Sequence, residues 1–107
     1  MSTNLIKLNV PERLNLTSIV VGFGYNRALL QQAEDFVKTL AFTEKEINDY
    51  GIESKGNVTG WKKNPEIEFE IPLDVSKKVL DYFEKLLDNG SMKLDMKSIY
   101  DKLLAIK

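Results

Sequence analysis

Hydrophobic positions in this chain change their period several times, and each change predicts a different element. From Leu5 to Val10, apolar Ile6, Leu8 and Val10 alternate with Lys7 and Asn9, which predicts a strand with one buried face. Pro11 suits the first turn of a helix, opened by Asn9 or Val10 and running to about Ser18, with Leu14 and Ile19 inward. Gly22 and Gly24 then turn the chain. Asn26 can cap a helix from Arg27 to Ala41, whose apolar set is Leu29, Leu30, Ala33, Phe36, Val37 and Leu40. Thr43 and Glu46 have capping-box spacing, Phe42 and Ile47 staple spacing, and Gly51 supplies a left-handed stop, so a short helix spans Glu44 to Tyr50.

The second half begins with β patterning. Between Ile52 and Ile71 turns are expected at Lys55-Gly56-Asn57 and at Lys63 to Glu66. Ile67, Phe69 and Ile71 then alternate with glutamates up to Pro72. From Leu73 to Asp88 the apolar positions Val75, Val79, Leu80, Tyr82, Phe83, Leu86 and Leu87 make a wide helical arc. Asn89-Gly90 ends that helix, and Asp95 is expected to cap a last one from Met96 to Ile106, closing an αα-hairpin. The expected fold is therefore α+β: one helix-rich domain over residues 1–107, with a small antiparallel sheet made of the N-terminal strand plus a β-hairpin. Three helices before a hairpin also match the order of a winged helix.

Composition removes most catalytic chemistries. The chain has no cysteine and no histidine, which excludes thiolate nucleophiles, imidazole bases and zinc–sulfur sites. No cofactor fingerprint is present, and neither a cofactor nor a metal is expected. Fifteen basic residues against sixteen acidic ones leave a net charge of -1. That balance opposes nucleic-acid binding, which depends on neutralising phosphates. The Thr43–Tyr50 helix, at the recognition position of a winged helix, carries three carboxylates and one lysine, so a DNA-binding regulator is the alternative reading and not the leading one. No apolar run reaches the ~20 residues that span a bilayer, and Met1 to Leu8 lack the pattern of a signal peptide; a cytoplasmic, disulfide-free protein is expected.

Three features remain as candidates. Glu66, Glu68 and Glu70 share one face of a strand at roughly 7 Å spacing, which fits a solvent face better than a cation site. The Gly22–Arg27 loop stands before a helix but matches no phosphate-binding motif; its Phe23, Tyr25 and Arg27 are candidate partner contacts. Trp61 could anchor an interface or pack on the sheet. Leu80 and Leu104 widen the apolar faces of the last two helices, which suggests self-association as a homodimer.

The segments Asn9-Val10-Pro11-Glu12-Arg13-Leu14, Leu40 to Glu46, Val58-Thr59-Gly60-Trp61, Glu66 to Ile71 and Ser98 to Lys102 resemble a group of small proteins encoded by tailed bacteriophages and prophages. Members often open with Val-Pro-Glu-Arg-Leu before a leucine-rich helix; the Asn15-Leu16-Thr17 stretch and the Gly22–Arg27 loop depart from that pattern. No activity is attached to the group. The resemblance implies a viral protein of the host cytoplasm and no chemistry. Taken with the composition, it leads to a non-enzymatic accessory protein that binds a protein partner.

Overall fold

Asn9 opens the first helix by a reciprocal cap: its side chain accepts from the Glu12 N–H at 3.0 Å, and the Glu12 carboxylate accepts from the Asn9 N–H at 3.0 Å. The computed structural model describes residues 3–56 and 58–106. Its elements, in chain order, are β1 (Thr3–Leu8), α1 (Val10–Val21), α2 (Arg27–Leu40), α3 (Glu44–Tyr50), β2 (Glu53–Lys55), β3 (Val58–Gly60), β4 (Ile67–Pro72), α4 (Leu73–Asp88) and α5 (Lys97–Ala105). A single 3₁₀ turn, Leu94–Met96, precedes α5. This is a helix-rich α+β domain with a C-terminal helix pair.

The strands form two separate antiparallel pairs and not one sheet. β1 pairs with β4, with Ile6 opposite Phe69 and Leu8 opposite Ile67, whereas β2 and β3 pair only with each other. The winged-helix arrangement, in which the N-terminal strand joins the hairpin, is thus not formed. β3 stops at Gly60, and Lys62 and Lys63 donate their N–H groups to the Tyr50 carbonyl at 2.7 and 3.0 Å, which holds the hairpin against the end of α3. Gly51 makes that approach possible. Its φ of +63 is left-handed, and a Cβ there would lie 2.9 Å from the Lys62 side chain. The expected turn residue Asn57 lies outside the described residues.

The core lies between the inner face of β1/β4 and α1, α2, α4 and α5. Ile6, Leu8 and Ile71 meet Leu16, Phe36, Val75, Val79, Phe83, Ile99 and Leu103 there. Burial of this apolar surface is the main force holding the fold. α1 runs past Ser18 to Val21, and its buried apolar residues are Val10, Leu16 and Val20, while Leu14 and Ile19 are only half-buried. Leu80 is 7% exposed and belongs to the core, which corrects its assignment as a partner contact. α4 turns it inward beside Val79, so the apolar arc of this helix is largely consumed by the fold. Asp95 does not cap α5. It sits inside the 3₁₀ turn closed by the Met96 N–H on the Lys93 carbonyl at 3.1 Å, and α5 begins without a side-chain cap.

The start of α1 is bound into the fold by charge. Arg13 is 2% exposed. Its Nη1 and Nη2 donate to the two Glu46 carboxylate oxygens at 2.7 and 3.1 Å, and Nε and Nη2 donate to the Leu40 and Ala41 carbonyls at 3.1 Å each. Those carbonyls belong to the unsatisfied C-terminus of α2. The Phe42 ring lies 4.0 Å from the guanidinium carbon, while Ile47, its expected staple partner, stays exposed. Glu46 also completes the predicted capping box of α3 with Thr43. On the opposite flank, the Lys102 ammonium donates to Glu12 at 2.7 Å, to the Lys7 carbonyl at 2.8 Å, and to Glu66.

Candidate functional site

The other end of α1 has no ion pair among the described residues. Val20 and Val21 end the helix, Gly22 turns the chain, and Phe23 and Tyr25 follow before Asn26 caps α2 through the Leu29 N–H at 2.9 Å. Between the end of α1, this loop and the outward face of α2 lies an apolar groove of about 410 Å³. Phe23 and Tyr25 form one wall, Leu30 and Val37 the other, and Ala33 the floor. Val21 is 65% exposed and Leu30 53% exposed along its lip.

The aromatic wall is built rigidly. The Tyr25 hydroxyl donates to the Val20 carbonyl at 2.6 Å, so the loop is fixed to the helix it follows. Burial raises the Tyr25 pKa above its ordinary value, in the same sense as the hydroxyl's role as a donor. Phe23 meets Tyr25 edge-on with ring centroids 6.2 Å apart, and meets Tyr82 of α4 edge-on at 5.4 Å. The Lys78 ammonium lies 5.6 Å from the Phe23 ring and 5.4 Å from the Tyr25 ring. A wall held from three sides requires little ordering when a ligand arrives.

Charge is confined to the rim. Glu34 and Lys38 pair at 3.3 Å on the exposed face of α2. Arg27 is exposed at the first position of the same helix, spaced to share the stripe of Leu30, Glu34 and Lys38. Glu34 and Lys38 line the groove, and Lys78 lies beside its aromatic wall.

Of the residues singled out from the sequence, the structure brings Phe23 and Tyr25 together in this groove, whereas Arg27 is exposed at the start of α2 and does not line it. Trp61 lies elsewhere, in a cleft with Pro11 and Leu14 of α1 and with Ser98 of α5. Leu104 is exposed on the C-terminal helix pair, where Leu87 and Leu94 are exposed as well. Val21 and Leu30 were not read as surface residues. For Leu30 the signal is the width of the α2 apolar set, since Leu30 and Val37 lie on one flank and Phe36 and Leu40 on the other; Val21, at the end of α1, has none.

The acidic row is divided. Glu66 is taken by Lys102, and Glu68 and Glu70 are exposed. Among the described residues no group of three or more carboxylates is placed to hold a metal ion. Likewise, none of their helices is long and apolar enough to cross a membrane. Comparison with protein-family models, with curated proteins and with solved structures finds no match to this chain. Its own geometry therefore has to support any functional reading.

Proposed function

We propose that this chain is a non-enzymatic accessory protein that works by binding a partner protein, and that the groove between α1 and α2 takes the apolar ridge of a partner helix with acidic flanks. The observation that supports it is the exposed pair Val21 and Leu30, bordering a groove whose aromatic wall is already fixed. Small domains seldom leave contiguous apolar surface uncovered unless something binds it. A trough between two helices suits a third amphipathic helix, and the surplus of Lys38 and Lys78 over Glu34 favours carboxylates beside its apolar ridge. Placement among tailed-phage proteins, in the host cytoplasm, belongs to the same proposal and draws on the resemblance alone.

A photo-crosslinking residue at Leu30 tests it in cells that express the protein. One partner is expected to crosslink from position 30 and from position 21, and not from Lys63 on the far side. The partner, once purified, should lose at least tenfold in affinity for Leu30→Glu while that variant keeps the wild-type melting temperature. Crosslinks that are equal from all three positions would reject the groove as the binding surface.

Self-association is a second reading, favoured by Leu94, which is 91% exposed in the turn before α5 and shares a cleft with Leu87, and by the exposed Leu104 of α5. A dimer formed there becomes a monomer in sedimentation when Leu87→Gln and Leu104→Gln are combined. A wild type that is monomeric at high micromolar concentration rejects it. No observation favours DNA binding: Glu46 of α3 is held by Arg13, and the remaining charges of that helix are Glu44, Lys45 and Asp49.

A further inference from the structure

Among the described residues β4 has a strand beside it on one edge only. β1 occupies that edge, and among the described residues no strand pairs with the other. Of the two strands, α2 packs against β4 and α5 against β1, so α2 lies toward the free edge of β4. In an antiparallel ladder every second residue turns its N–H and C=O away from its partner strand, so this edge presents unpaired donors and acceptors.

A groove of about 440 Å³ runs between this edge and α2. Gln31, Asp35 and Thr39 line its helical side, at the spacing of one helix face, and Glu68 and Glu70 line its strand side. The helical stripe from Ala28 to Thr39 is about 16 Å long at 1.5 Å per residue, enough for about five residues of added strand. Its lining includes two aromatic side chains, Phe36 and Phe69, and three carboxylates, Asp35, Glu68 and Glu70, with no lysine or arginine. Lys7 stands opposite Glu68 across the ladder and forms no ion pair with it among the described residues.

We infer that this groove accepts an extended segment of a partner protein as a third strand on β4, and that the segment alternates basic with apolar residues. The alternation follows from the pleat. A strand laid on β4 turns one set of side chains to the outer face, beside Glu68 and Glu70, and the other set inward, over Phe36 and Phe69. Lysine or arginine suits the first set and aliphatic side chains the second. A second copy of this chain is disfavoured as the occupant, because antiparallel pairing of two β4 edges sets glutamates against glutamates. The surface is separate from the α1–α2 groove, and its success or failure leaves that reading untouched.

The probe is a labelled, end-capped octapeptide of alternating lysine and valine, measured by fluorescence anisotropy and by amide chemical shifts on the full chain. Saturable binding is expected, with shifts centred on residues 67–72 and on the 28–39 face of α2. The double substitution Glu68→Lys and Glu70→Lys, on the exposed face, should keep the wild-type amide spectrum elsewhere. It should weaken the lysine peptide at least tenfold and create binding of the matching glutamate–valine peptide. Methylating alternate peptide nitrogens should abolish binding in one phase and spare it in the other, which charge attraction alone would not produce. No binding at millimolar peptide overturns the inference. So do shifts centred on residues 20–25 with none on 67–72, or equal loss with either methylation phase.

Discussion

The two ends of α1 differ in what surrounds them. At the start, every charged side chain is paired: Arg13 with Glu46 and the carbonyls that end α2, Glu12 with Lys102 and the Asn9 N–H. At the end, Val21 and Leu30 remain in water beside a wall of aromatic rings. A buried ion is tolerated only when its partners are in place, so the first end can hold one arrangement of α1, α2 and α3. An exposed apolar groove carries no such constraint. The contrast assigns architecture to the polar end and recognition to the apolar end.

The largest test of that contrast is Glu46→Gln, which leaves the Arg13 guanidinium in its enclosed position without a counter-charge. Urea denaturation should show a loss of about 3 kcal/mol, a large part of the stability of a domain this size. A loss below about 1 kcal/mol would mean that water reaches Arg13, and the distinction between the two ends would fail. Acid gives the same test without mutation. The fork from Arg13, with the Thr43 N–H, lowers the Glu46 pKa from 4.5 to about 2 despite its burial. A depressed carboxylate contributes stability that is complete above its unfolded value and lost as pH falls through the folded one. Wild-type stability should therefore decline between pH 4.5 and about 2, and Glu46→Gln should be flatter over that window.

Lys102→Met is the intermediate case. Burial raises the Glu12 pKa, but the Lys102 ammonium and the Asn9 N–H outweigh it and hold the carboxylate below its ordinary value. Lys102 answers in kind: burial alone would lower it, and Glu12 and Glu66 raise it. Without the ammonium, Glu12 keeps its helix-cap bond and loses its charge partner, at a cost of about 2 kcal/mol at neutral pH. The deficit should shrink on acidification, because a protonated Glu12 no longer needs a cation. A deficit independent of pH would show that Lys102 acts through its bond to the Lys7 carbonyl instead.

These tests also mark what the sequence could and could not show. Local grammar was readable: the Thr43–Glu46 box, the Asn26 cap, the Gly51 stop and the alternation of Ile67, Phe69 and Ile71 all have their causes within a few residues. Arg13 was not, because its partners lie 27 to 33 positions away and no periodicity marks a buried guanidinium. Lys102 was hidden for the same reason, since Glu12 is 90 positions away. The pairing of β1 with β4, and not with the nearer hairpin, joins strands some sixty positions apart, while the Tyr50 carbonyl holds Lys62 and Lys63 of the hairpin end against α3. Leu30 misled in the other direction. An apolar residue at helical spacing is usually core, and only the position of the Phe23–Tyr25 loop shows which flank of α2 the fold leaves bare.

That flank gives the smallest expected effect. Leu30→Gln removes an aliphatic side chain from a helix interior and replaces it with a residue of similar length and helix propensity. Were Leu30 core, the change would bury an amide without partners and cost about 2 kcal/mol or more. In the structure it borders an open groove, and glutamine there can reach water. Stability should therefore change by no more than about 0.5 kcal/mol. Val37→Gln supplies the calibration within the same helix, because Val37 is half-buried against the core and should be distinctly more costly. Equal and large losses at both positions would place Leu30 in the core and close the groove. A silent Leu30 beside a costly Val37 leaves an apolar surface that folding does not require.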